Sequence, residues 1–211
     1  MKIEDKINRF LSKLLKSDCI AQATYNSLHV TGSGPGILYG LPKVHKPNFS
    51  QNFPYRPILA AYNLASYKIS KYLVPILASL TSNQYTVLNS TEFARQISAI
   101  DNADQYYMVS LDIESLFTNI PLQETIEIAI QALFSNASHV LGLTKDLFKT
   151  LLELASMNTF FIFNEKYYLQ KDGVGMGLPL GPSFANLFLC HHEQRWLSSC
   201  PKNYKRAHYF H

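Results

Sequence analysis

Between Cys19 and Thr91 the chain carries no aspartate or glutamate at all, although 15 acidic residues are spread over its 211 positions. Cysteine is scarce too, and the three present, Cys19, Cys190 and Cys200, lack the spacing of a disulfide framework. That excludes a small stapled secreted fold and fits a reducing compartment. No apolar run approaches the length of a membrane span, and the first ten residues are charged where a signal peptide needs an apolar centre. An intracellular protein with no membrane partner is expected. Charge is sparse at 16%, while 47% of residues are hydrophobic, which excludes a disordered chain and supplies core for one large domain or two small ones.

The acid-free stretch holds Lys43, Lys46, Arg56, Lys68 and Lys71, leaving 14 basic and 15 acidic residues for the rest of the chain. An asymmetry of that sign points to a polyanionic partner, with phosphates the commonest. The competing reading is a solvated basic face that binds nothing in particular.

Periodicity predicts a mixture of helices and strands. Ile3, Ile7, Phe10, Leu11, Leu14 and Leu15 recur at helical spacing, so the first sixteen residues read as an amphipathic helix. Thr31 to Gly36 reads as a flexible turn or short linker. Ile37 to Leu41 and Tyr55 to Tyr62 read as extended segments around the basic loop 42–47, and Ala65 to Leu80 as a helix with a kink or boundary at Pro75. Thr91 is the expected N-cap of a short helix to Ile100. Tyr106 to Leu111 has the composition and length of a buried strand. Pro121 is placed to open one helix, Thr144 to cap the next, and Pro182 to start a third; Asn164-Glu165 divides a hairpin of 159–163 and 166–170.

Two features carry chemistry. Asp112 follows the predicted strand, where a carboxylate is placed to hold Mg²⁺. The other reading of a strand-end aspartate is a cap or turn residue. The loop Asp172-Gly-Val-Gly-Met-Gly-Leu-Pro-Leu-Gly-Pro182 runs into an apolar helix, and such a loop lets backbone lie against a base pair or a phosphate.

Four segments in order, Leu38-Tyr-Gly-Leu-Pro-Lys-Val-His-Lys-Pro47, Tyr55-Arg-Pro-Ile58, Val109-Ser-Leu-Asp-Ile-Glu-Ser-Leu-Phe-Thr-Asn-Ile-Pro121 and the loop 172–182, resemble the reverse transcriptase of Penelope-like retroelements. The resemblance implies an α+β fold of right-hand polymerase type, with fingers and a partial palm. Residues 1–104 would form the N-terminal region and fingers, and 105–211 an incomplete palm with part of the fingers at about 136–172. It implies an RNA-directed DNA polymerase whose partners are an RNA template, a DNA primer and deoxynucleoside triphosphates, and whose cofactor is a pair of Mg²⁺ ions. Asp112 would then be the catalytic and metal carboxylate, with Ile113 beside it. Phe117 stands where such enzymes carry an aromatic that blocks a ribose 2′-hydroxyl, or else packs in the core. Arg56 and Lys43 would hold the triphosphate, with Lys46 a further candidate. Met176, Gly177 and Pro179 would meet the nascent base pair, and Leu178 departs from the small residue expected there.

The Asp-Asp hairpin that the resemblance calls for after Tyr204-Lys-Arg-Ala-His-Tyr-Phe-His211 is not in the sequence. The expectation is therefore a truncated copy, unable to polymerise alone and exposing a strand edge prone to association; the alternative is an inactive nucleic-acid-binding remnant. Cys190-His191-His192 with Cys200 lacks the paired ligand spacing of zinc sites, and Lys202, Lys205, Arg206 and His208 read as a basic end that touches nucleic acid or solvent.

Overall fold

Leu59 on an edge strand and Gly36 on the strand beside it belong to a four-stranded sheet in the computed structural model, which describes residues 3–44, 54–102, 105–157 and 159–199. Strand β1 (Gly36–Pro42) pairs antiparallel with β2 (Tyr55–Ala60), from Ile37 opposite Ala60 to Pro42 opposite Tyr55. On its other side β1 runs parallel to β5 (Phe160–Phe163) through Gly36 and Phe161, and β5 turns into β6 (Lys166–Leu169). The hairpin turn places Asn164 and Glu165 both at positive φ, 47° and 60°, the pattern of a type I′ turn whose twist matches that of its strands. A two-stranded ribbon, β3 (His139–Val140) with β4 (Leu143–Thr144), stands apart from this sheet.

Helices supply most of the core. The amphipathic helix α1 (Ile3–Lys16) buries Ile7, Leu11 and Leu14 and keeps Glu4 and Asp5 in its first turn, Lys13 and Lys16 in its last, as the helix dipole favours. Helix α2 (Gln22–Leu28) buries Leu28 alone, too little periodicity to be read from sequence. Helix α3 (Tyr67–Leu77) contains Pro75 and tightens into a 3₁₀ turn at Ala78–Leu80, so the proline stands within the last turn and not at the boundary. Ser70 is fully buried there and its hydroxyl donates to the carbonyls of Ser66 at 2.8 Å and Ala155 at 2.7 Å, tying α3 to helix α7 (Lys145–Ser156). Thr144 stands at the N-cap of α7 without a side-chain bond to it. Helices α6 (Leu122–Leu133), α7 and α8 (Leu180–Ser199) bring Ile126, Phe148 and Phe184 together at 0% exposure, each worth roughly 1.5–3 kcal/mol of burial. No helix among the described residues is long and apolar enough to cross a membrane.

Two expectations are corrected. Helix α4 (Ser90–Ser98) is capped by Asn89, not Thr91: Asn89 is extended and its side chain accepts from the Glu92 N–H at 2.9 Å, whereas Thr91 already lies inside the first turn. The larger correction concerns Tyr106 to Leu111. These residues form no strand and are exposed, Tyr107 at 97% and Leu111 at 87%. Their composition suits a buried strand, but a strand needs a ladder partner, and among the described residues the sheet is completed by β1, β2, β5 and β6 without them. The class expected from sequence, α+β, stands.

Candidate nucleotide and nucleic-acid site

The glycine-rich loop is clamped between β2 and the short helix α5 (Leu116–Asn119). On the β2 side, the Leu59 N–H donates to the Met176 carbonyl at 2.7 Å, and Met176 bridges Ile58 as a parallel neighbour. Gly177, at φ +117°, lies so close to the strand that a Cβ would stand 2.1 Å from the Leu59 carbonyl oxygen. On the α5 side, the Val174 N–H donates to the Phe117 carbonyl at 2.7 Å, and a Cβ on Gly173 would sit 2.4 Å from the Thr118 oxygen. Both glycines are thus required by backbone contact inside the protein. Val174 and Leu178 point into the core at 2% and 4% exposure. Leu178, the departure from a small residue, therefore acts as a packing residue, while half-buried Pro179 leads the chain into α8.

Phe117 joins this arrangement from the α5 side, its ring edge 3.3 Å from where a Cβ on Gly181 would be. It is half-buried and packs against the core, so the core-packing reading has direct support. Asp172, at the head of the loop, accepts from the Gly173 N–H at 2.8 Å and the Leu122 N–H at 3.3 Å, placing a carboxylate at the N-terminus of α6. Sequence reasoning gave this aspartate no role, although an Asp-Gly pair at a loop entry is a common turn signal.

Arg56 lies on β2 opposite Leu41 and is exposed. The Lys43 N–H donates to the Pro54 carbonyl at 2.8 Å, which carries the β1–β2 ladder one step past Pro42. By period-two alternation Lys43 and Arg56 share a face at one end of this hairpin. Lys46, the rest of the basic loop, Cys200 and the basic residues after it fall outside the described residues.

Asp112 and Ile113 lie on the exposed segment after Leu111, ahead of a turn in which Ser115 adopts φ 54° and its carbonyl accepts from the N–H and hydroxyl of Thr118. The predicted strand that was to carry Asp112 is absent, so the aspartate is not held against the sheet. On α8, His192 pairs through Nε2 with Glu124 at 3.0 Å and lies between the tilted rings of Phe188 and Trp196, while burial, and then the neighbouring His192, lowers the pKa of His191.

Residues 44–210 match the family model described as reverse transcriptase (RNA-dependent DNA polymerase). The chain belongs to the reverse transcriptase family. No curated protein matches it. The reverse transcriptase match starts at Val44, so α1, α2 and β1 precede it, while the glycine loop, α5 and α8 lie within. Reverse transcriptases generally use Mg²⁺, and the donor set here can be compared with that need. Among the described residues no three His, Cys, Asp or Glu side chains gather as a metal site, and Asp112 shares an exposed segment with Glu114. These residues do not fit a two-ion centre.

Proposed function

We propose that this chain is a reverse transcriptase domain of a Penelope-like retroelement, serving the copying of RNA into DNA with RNA template, DNA primer and deoxynucleoside triphosphates as partners. The observation that carries the reading is the joining of separate sequence segments: loop 172–182 packs on both Phe117 and the strand that bears Arg56. In this reading residues 1–104 form the N-terminal region and fingers, and residues from 105 onward form palm, with 136–172 returning to the fingers. Lys43 and Arg56 bind triphosphate, Arg56 through a two-pronged contact and Lys43 as a point charge. Phe117 supports the loop and offers its ring edge to the sugar. Met176, Gly177 and Pro179 set the loop backbone on which the base pair rests.

Nucleotidyl transfer by paired Mg²⁺ draws carboxylates from neighbouring strands, and among the described residues no three His, Cys, Asp or Glu side chains gather around Asp112. The role proposed for this chain's residues is therefore binding and positioning. Asp112 would serve as a metal carboxylate only with further carboxylates beside it. That lack of a ligand cluster among the described residues favours the second reading, a nucleic-acid-binding remnant without catalysis.

The test compares the 211-residue chain with whatever reading frame follows the codon for His211, using a labelled DNA primer on an RNA template with Mg²⁺ and nucleotides. Extension that Asp112→Asn abolishes and Arg56→Gln weakens supports the polymerase. A stop codon there, with template binding but no extension, would establish the remnant.

A further inference from the structure

We infer that the groove between α1 and α2 is a second binding site for single-stranded nucleic acid, separate from the polymerase loop. It lies outside the residues matched to the reverse transcriptase family, and its role rests on the reading of this chain as one that handles an RNA template.

The groove has a volume of ≈ 470 Å³. One wall is the polar side of α1, which carries Arg9, Lys13 and Lys16. All three are exposed, and successive cations stand about one helical turn apart, roughly 5 Å along the axis. The other wall is Tyr25 of α2 and His29 just past its end, with ring centroids 5.4 Å apart and planes tilted by 51°. Between the walls, the Ser12 hydroxyl donates to the Asn8 carbonyl at 2.8 Å and lies 3.4 Å from the Tyr25 hydroxyl. Asn8 in turn exchanges two bonds with the Val30 backbone, 2.7 and 3.1 Å, so both walls are tied together and the groove is built before any ligand arrives. Lys68 of α3 donates to the His29 carbonyl at 2.8 Å, which adds a cation behind the aromatic wall. Among the described residues Asp5 is the only acidic one lining the groove.

A row of cations facing two rings is the arrangement that binds a nucleic-acid single strand without reading its sequence. The phosphates follow the charged wall while a base stacks on a ring. A duplex offers phosphates but no free base face. Lysines in the last turn of α1 also suit the helix dipole, which accounts for their charge. It does not account for their turning toward a concave wall of tyrosine and histidine.

The test is fluorescence anisotropy of a labelled twelve-nucleotide oligouridylate, and separately of oligothymidylate, with the full chain over a range of salt. Lys13→Gln with Lys16→Gln is expected to weaken binding tenfold or more at low salt and to lower the log–log salt slope by about 1.4, at ~0.7 per phosphate on a single strand. Both lysines are exposed, and the circular dichroism of the variant checks that its fold is kept. Tyr25→Leu is expected to cost several-fold without changing that slope. Photocrosslinking of a 4-thiouridine oligonucleotide should label the peptide containing Tyr25 and His29. Tight binding that Arg56→Gln weakens but the double lysine variant does not, with crosslinks confined to residues 54–60 and 173–181, overturns the groove and leaves the polymerase reading intact. A groove variant that weakens binding while neither the chain nor its continued reading frame extends a primer supports the groove and overturns polymerisation. Absence of binding to either oligonucleotide overturns the groove.

Discussion

The Leu59 carbonyl oxygen stands 2.1 Å from the point where a Cβ on Gly177 would be, closer than any two such atoms can remain. Gly177→Ala must therefore push the loop off β2 and break the Leu59 to Met176 hydrogen bond, besides straining a residue at φ +117°. A loss of about 2–4 kcal/mol is expected from the combined strain and clash. Gly34→Ala, with nothing within 4 Å of its Cβ, serves as the neutral control. Urea unfolding of the two variants checks the difference. Equal midpoints would mean that the loop is not seated on Leu59.

Asp172 holds the loop head and the start of α6 with one oxygen. Asp172→Ala should cost about 0.5–2 kcal/mol, the range for losing a side-chain acceptor at a helix start. Asp172→Asn, which keeps an acceptor oxygen but not the charge, should recover most of it. Thermal melts of the pair are the measurement, and equal losses would assign the whole effect to charge.

Helix α4 has no buried residue and rests on local bonds. The Glu92 carboxylate accepts from Arg95 at 2.6 and 2.9 Å and from Gln96 at 2.8 Å, and these donors lower its pKa from 4.5 to about 2. The folded helix thus binds this proton more weakly than the unfolded chain does. Its support is complete above the unfolded value, about 4.5, and is lost as pH falls through about 2. Amide exchange across residues 90–98 should accelerate relative to α7 between pH 4.5 and 2, and Glu92→Gln should remove that pH dependence.

Tyr107, Val109 and Leu111 expose apolar surface at 97%, 74% and 87%. Val109→Lys with Leu111→Lys should leave stability within about 0.5 kcal/mol per site, because neither side chain is packed. The same variant should lower the concentration-dependent association measured by sedimentation velocity. A large loss of stability would show that the segment is buried in the folded protein.

Sequence reading found what local pattern encodes. Ile7, Leu11 and Leu14 announced α1, and the Asn164-Glu165 turn announced the β5–β6 hairpin, because in each case the deciding contacts lie within one or two turns of chain. Tyr106 to Leu111 was misread because composition reports the side chains a strand prefers and is silent about whether a neighbour is present to pair with. Asn89 was passed over for Thr91 since both side chains can cap, and only the extended backbone at Asn89 decides between them. At the candidate site, the importance of Gly177 was legible, but its immediate partner, Leu59, was not. That contact joins positions more than a hundred residues apart, and nothing in either local sequence reports the distance between them.

The parallel pairing of β1 with β5 has a consequence for the order of assembly. Gly36 finds Phe161 only after more than a hundred intervening residues have been made, whereas β1 and β2 can pair as soon as both have emerged. Closing so long a loop is entropically costly and slow compared with forming a hairpin. The strand that seats the glycine loop is thus built early but receives that loop late. Until residues 173–178 arrive, the backbone of Leu59 waits unpaired on that side, and a nascent chain halted before them would offer the groove of α1 and α2 without the loop that the polymerase reading requires.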